Sequence, residues 1–245
     1  MSEFEMTCLG KMKYFLGVEV HQEKKGISVF QQKYVREVLN RFNMWDCNGV
    51  KNPIIPGTNV TKEGVGRKVN ETEYKSLVGS LMYLTVTRPD LMYSVSFISR
   101  FMLDPHEEHL LLAKRVLRYV KETYNFGLFY RSSKGGGLQV FTDSDYARDI
   151  EDRKCTSGYV CILSDAAICW SSKKQYIVTL SSTEAKYVAA TTCACHRVWL
   201  KGLLEEINGE LLGTIVIQCD NSSTIKLSKN PVMHRSSKHI DVRFH

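Results

Sequence analysis

The chain reads as a mixed α/β fold of the α+β kind, and three observations predict it. Short alternating apolar runs occur near both ends of the 245 residues: KYFLGVEV and GISVF early, then LQVFT, SGYVCIL, AAICWS and TIVIQCD late. Between them, residues 71–134 repeat apolar side chains at helical spacing, and a second long helical stretch runs from about 183 to 207. Strands and helices are therefore grouped in runs, which favours a mixed sheet with helices packed on it over a regular βαβ alternation.

Taken in order, KYFLGVEV (13–20) and GISVF (26–30) flank an HQEKK turn. QKYVREVLNRFNM (32–44) places Tyr34, Val35, Val38, Leu39 and Phe42 on one helical face, and the Pro- and Gly-rich stretch 51–70 reads as a linker. In the helical segment, Tyr74, Leu77, Val78, Leu81 and Met82 form one stripe. TRPD then interrupts, with Pro89 suited to a first helical turn, and Leu91, Val95, Ile98 and Met102 continue a second helix. Asp104-Pro105-His106-Glu107-Glu108 opens a third, with a cap, a proline at its start and acids in the first turn. Its apolar side carries Leu112, Val116, Tyr119 and Val120. The opposite side carries Lys114, Arg118 and Lys121, which is either a track for a phosphate backbone or an ordinary solvated face. After Lys134-Gly135-Gly136-Gly137, strands are expected at 138–142, 157–163, 166–171 and 214–220. A short helix is expected at 221–230, and HIDVRFH reads as the start of another.

Composition narrows the class. With 43% apolar and 24% charged residues the chain has the make-up of a globular protein, and it holds no apolar run of the roughly 18 residues that a membrane span needs. The N-terminus lacks the basic-then-apolar layout of a secretory signal. The eight cysteines form no paired C-x-x-C knuckles and mostly sit in apolar runs, as free thiols of a reducing, intracellular compartment do. The net charge of +7 is uneven: residues 1–136 carry +6 and residues 137–245 carry +1.

Against that basic background, FTDSDYARD (141–149) gathers carboxylates where a strand ends. Asp143 closes the first strand of the last segment, Glu184 stands at the mouth of the long helix, Asp220 ends TIVIQCD, and Asp241 follows in HIDVRFH. A mixed sheet with a parallel pair can bring such positions to one edge, where mutual repulsion calls for cations. Two Mg²⁺ ions about 4 Å apart are the known solution for phosphodiester chemistry. Each acid also has a local reading. Asp143 and Asp145 suit a turn, Asp220 suits a cap of the next helix, Ser181–Glu184 fits a capping box, and Asp241 suits a helix start.

TDSDYA, DRKCTSGYV, CWSSKKQ, LSSTEAKYVAA, VWLKGLL, CDNSSTIKLSKNP and KHIDVRFH, in that order and at those intervals, closely resemble the ribonuclease H domain of copia-type LTR-retrotransposon Pol polyproteins. MKYFLGVEV, QQKYVREVLNRFNM, YKSLVGSLMYLTVTRPDLMYSVSFISRFM and HLLLAKRVLRYVKET resemble the end of the reverse transcriptase and the helical connection of the same polyproteins. The resemblance implies three regions. These are a reverse-transcriptase remnant with linker over 1–70, a helical connection over 71–134, and a ribonuclease H-like mixed sheet flanked by helices over 135–245, truncated at its C-terminus. It implies hydrolysis of RNA in RNA–DNA hybrids, with Asp143, Glu184, Asp220 and Asp241 holding two Mg²⁺ or Mn²⁺ ions.

His234 is implied to assist proton transfer or product release, or else is a surface loop residue. Lys173 and Lys174 meet phosphate or else solvate a hairpin. The expected partners are the hybrid and other parts of the polyprotein, with no membrane, in the cytoplasm, a virus-like particle or the nucleus. The YVDD-type polymerase hairpin of the family does not occur in the sequence, so nucleotide addition is not expected. Four features differ from the usual pattern: Arg148 replaces a small residue, His196 stands near a usual acid, EAKY replaces EAEY and so introduces Lys186, and the last helix stops at His245. The alternative is a catalytically inactive, nucleic-acid-binding relic of a degraded element.

Overall fold

A computed structural model describes residues 10–132, 137–209 and 212–230. Within them the chain is a mixed α+β protein with two four-stranded sheets. The first sheet begins as a meander of β1 (Tyr14–Phe15), β2 (Val18–Glu23) and β3 (Gly26–Phe30), all antiparallel. The run expected as one strand over 13–20 is split. Leu16 and Gly17 both take positive φ, as a two-residue hairpin turn of the I′ kind requires. A Cβ on Gly17 would sit 2.5 Å from the Tyr83 hydroxyl, which donates to the Leu16 carbonyl, so the turn closes against a helix with no room for a side chain.

Helix α1 (Gln32–Arg41) ends earlier than its apolar pattern suggested, and α2 (Glu71–Leu84) starts at Asn70, whose side chain accepts from the Glu73 amide at 3.0 Å. Pro89 opens a short 3₁₀ turn that leads into α3 (Met92–Ile98). Helix α4 (Glu107–Glu122) is capped at His106 rather than at the expected Asp104. The His106 amide donates to Nδ1 of buried His109, and His109 Nε2 donates to the Thr61 carbonyl at 2.8 Å. The stretch 51–70 is thus strapped to α4 rather than loose.

The stripes of α1, α2, α3 and α4 meet in one core built on Val38, Leu39, Tyr74, Leu81, Ile98, Leu117 and Val120. Arg88 is only 2% exposed inside it. Its guanidinium grips Asp90 through Nε and Nη2 and donates to the Thr123 carbonyl and hydroxyl, between the rings of Tyr119 and Phe126. Residues 127–131, inside the segment read as helical, form β4 (Gly127–Arg131), which pairs with β3 and completes the first sheet.

The second sheet contains β5 (Gln139–Ser144), β6 (Thr156–Leu163), β7 (Ala166–Lys174) and, after the 27-residue α5 (Ser182–Asn208), β8 (Ile217–Gln218). Their order is β7-β6-β5-β8, and only the β5–β8 pair is parallel. The strand expected over 214–220 contributes just Ile217 and Gln218 to pairing. Helix α5 ends at Gly209 with φ 69°, and covers one face of the sheet through Val140, Cys161, Cys193, Leu200 and Ile215. Helix α6 (Ser222–Lys229) follows the parallel edge. Cys155, Cys161 and Cys193 are buried free thiols, and burial pushes the Cys161 thiol up to about 12 and that of Cys193 to about 11. Among the described residues no helix is long and apolar enough to cross a membrane.

The two halves are joined by specific polar contacts. Trp170 Nε1 on β7 donates to the Thr85 carbonyl at 3.1 Å, and the Tyr130 hydroxyl donates to the Ala167 carbonyl at 2.8 Å. Arg100 reaches Asp149 at 3.3 Å, where Lys174 also binds at 2.5 Å. Burial would raise the Asp149 carboxyl. The hydrogen bond from Lys174 and the amides of Asp152 and Glu151 outweigh it and pull the pKa from 3.8 to about 2.

Two outcomes are expected. Arg88→Ala strands the Thr123 carbonyl and empties a packed site, which should lower stability by about 2–3 kcal/mol in urea denaturation. Because the folded pKa of Asp149 lies below its unfolded value, its contribution is whole above about pH 4 and disappears as pH falls towards 2. Asp149→Asn should therefore destabilise the chain at neutral pH and flatten its acid unfolding between those limits, measured by circular dichroism.

Candidate functional site

The parallel pairing of β5 with β8 sends both strands out of the sheet at the same edge. Asp143 stands near the end of β5 and Asp220 just beyond β8, with side chains 73% and 70% exposed. Between them lies Lys186, on the first turns of α5 and itself only 16% exposed. Its Nζ is 3.0 Å from Asp143 Oδ1 and hydrogen-bonds Asp220 Oδ1. The hydrogen bond to Asp220 and that to Asp143 raise the ammonium pKa against partial desolvation, and the same contact lowers the Asp220 carboxyl. Two of the acids singled out in the sequence thus meet at one cation, and the chain supplies that cation itself.

The local reading of Asp220 as a helix cap is not what the geometry gives. Asn221 caps α6, its Oδ1 accepting from the Thr224 amide at 2.8 Å, which leaves Asp220 to Lys186. The expected capping box forms only in part: the Ser181 hydroxyl accepts the Glu184 amide at 3.1 Å, but the carboxylate of Glu184, a residue 1% exposed, accepts the Leu180 amide at 2.6 Å, one residue before the cap. Asp241 and His234 lie outside the described residues.

The expected phosphate-binding lysines sit in different settings. Lys173, at the end of β7, is exposed and faces the Tyr176 ring, whereas Lys174 is held by Asp149 and Asp152. On α4, Lys114 is exposed. Arg118 donates to the Asn48 carbonyl at 2.7 Å and Lys121 lies over the Trp45 ring at 4.1 Å, so the segment around 45–52 covers most of that basic stripe.

A divalent ion needs several oxygen donors that converge. Asp143 and Asp220 supply two, at a place that already accommodates a positive charge, so the donor chemistry fits Mg²⁺ or Mn²⁺ there. The described residues hold no group of three His, Cys, Asp or Glu side chains arranged for a metal. Sequence reading marked Lys186 only as a departure at one position. Its bridging role needed the three-dimensional edge to become visible.

A search among known proteins adds the ancestry. Residues 1–56 match the family model described as reverse transcriptase (RNA-dependent DNA polymerase). The chain is 38% identical over 96% of its length to the retrovirus-related Pol polyprotein from transposon RE1 of Arabidopsis thaliana. It is 39% identical over 99% of its length to that from transposon TNT 1-94 of Nicotiana tabacum. The chain belongs to the Pol polyproteins of copia-type retrotransposons. It spans 16% of the RE1 polyprotein and 19% of the TNT 1-94 polyprotein. It is also 36% identical, over 82% of that protein's length, to the uncharacterized mitochondrial protein AtMg00810 of Arabidopsis thaliana.

Proposed function

We propose that this Pol segment binds RNA–DNA hybrids and hydrolyses their RNA strand at the edge where Asp143 and Asp220 converge. The observation that carries the reading is that convergence itself. Two acids separated by a long helix in the sequence share one cation at the parallel edge of a mixed sheet.

In this reading Asp143 and Asp220, with Asp241 as a further ligand, hold Mg²⁺ or Mn²⁺. When bound, the ions supply a polarised attacking water and a stabilised leaving 3′ oxygen. The remaining work belongs to the chain. The sheet edge fixes the spacing of the two carboxylates, and Glu184 sets the start of α5 so that Lys186 reaches them both. Lys114 and Lys173 stay exposed to meet phosphate. Recognition rests on groove shape and 2′-hydroxyls rather than base sequence.

Lys186 favours the second reading, a nucleic-acid-binding segment without hydrolysis. An ammonium in the cation's place neutralises the acids but carries no coordinated water. The two readings separate on measurement. A labelled hybrid incubated with the chain and Mg²⁺ should lose its RNA strand, and Asp143→Asn should cut the rate by at least about 100-fold, the loss of about 2.7 kcal/mol of transition-state stabilisation. Cleavage that survives the substitution refutes the assignment. Lys186→Glu removes the competing ammonium and adds a ligand, so Mn²⁺ binding followed by electron paramagnetic resonance should tighten by at least about tenfold, or 1.4 kcal/mol. Unchanged binding would mean that Lys186 does not compete with an ion.

A further inference from the structure

The face of the second sheet that turns away from α5 carries a separate feature. Side chains alternate along a strand, so the register sorts them. Val140 and Cys161 pack towards α5, whereas Phe141, Asp143, Gly158, Val160, Trp170 and Ser172 share the outer face. Between this face and the residues at the start of α3, Pro89, Met92 and Tyr93, lies a cavity of about 480 Å³. That volume is within the roughly 300–1,000 Å³ range of small-ligand sites.

Gly158 forms the floor. It sits inside β6 with no left-handed φ, so backbone conformation does not explain it. A Cβ built there meets nothing nearer than the Ser171 carbonyl oxygen at 3.6 Å, so the space above it is open. A glycine inside a strand gives up packing and strand stability, and it marks places where another group approaches the backbone closely. The walls around this gap are flat and apolar: Phe141 and Trp170 from the sheet, Tyr93 from α3. The indole cannot swing away, because its Nε1 is committed to the Thr85 carbonyl.

One end of the cavity is polar. Asp145 Oδ1 accepts the Thr156 amide, but Asp145 Oδ2 is buried with no hydrogen-bond partner among the described residues. Asp145 Oδ2 thus presents no surface to a ligand in the cavity. Arg148, exposed at the same end, adds a positive charge.

We propose that this cavity binds a nucleobase of a nucleotide. The ring stacks over Gly158 against Trp170 and Tyr93, and Arg148 meets the attached phosphate. A planar ring and an anion are the features the two parts of the cavity match, and a nucleotide carries both. Aromatic stacking accepts any base, because every base has a π-face, so the site is tolerant of sequence. Asp143 belongs both to the cavity wall and to the edge described above, so a base held here continues a strand lying across that edge. Only this last step, the source of the base, rests on the proposed hybrid-binding function.

The test uses the full chain in EDTA, so that failure of the metal-dependent reading cannot be confused with failure of this one. Guanosine 5′-monophosphate titrated by calorimetry should bind saturably, and inorganic phosphate should not. Gly158→Val fills the floor with a good strand-former, so it should keep or raise the melting temperature while weakening nucleotide binding at least tenfold. Arg148→Ala removes the charge that meets the phosphate, and should weaken binding at least fivefold. The proposal fails if the nucleotide does not saturate. It also fails if phosphate binds equally well, or if Gly158→Val folds and binds as tightly as the parent. Should Gly158→Val not fold, unchanged binding in Arg148→Ala is sufficient to refute it.

Discussion

Two carboxylates that leave neighbouring parallel strands at the same edge repel each other unless a cation stands between them. That constraint organises the C-terminal half of this chain. The penalty for solvent-facing charges a few ångströms apart is only about 1 kcal/mol, which is small in itself but large beside the margin that holds a two-residue edge strand in place. β8 pairs with β5 through just Val140–Ile217 and Phe141–Gln218. Lys186 turns the repulsion into attraction, and because it rides on α5 it ties that helix to both strand ends. The Thr224 hydroxyl, donating to the Thr183 carbonyl at 3.0 Å, adds α6 to the same corner. The geometry of the edge is thus a product of helix docking as much as of sheet pairing.

Periodicity carried most of the architecture. Alternation located β3, β6 and β7, and helical spacing located α1, α2, α4 and α5, because in each the buried face fills a core that the pattern already describes. It did not carry the strand β4. GLFYR alternates weakly, and its pairing with β3, about a hundred residues earlier, is a long-range event with no local signature. The turn at Leu16-Gly17 was hidden for a related reason, since it lies inside an apolar run that reads as continuous. The cap of α4 went to His106 instead of Asp104 because a buried histidine can bridge two segments, a role that its residue type alone does not announce.

At the site the words TDSD, SSTEA and CDN singled out Asp143, Glu184 and Asp220, while the division of labour among them was not legible. Whether Asp220 capped a helix depended on Asn221, a stronger competitor for the same amides, and the competition is decided by backbone direction. Glu184 reaches past the N-cap to the Leu180 amide instead of closing the box with Ser181. The outer cavity was less visible still. Gly158 looks like any glycine in SGYV until the register places it opposite Asp143 and Ser172, below a helix that begins some seventy residues earlier.

A tethered ammonium and a divalent ion make different use of the same two oxygens. The ammonium is monovalent, enters without desolvating a free ion, and is held at high effective concentration by its helix, so it neutralises the edge without drawing on ions in solution. It also donates its protons to the carboxylates and leaves no coordination position for water or phosphate. An ion that replaced it would need the lysine to swing aside and further oxygen donors to turn inward. Glu184 stands two residues from Lys186, but it is buried with its carboxylate on the Leu180 amide, so recruiting it as a donor would break that contact at the start of α5. The rest of α5 is anchored by Cys193 and Leu200 against the sheet and need not move. Lys186 is thus the cation that this edge holds, tied to both carboxylates from the first turns of α5.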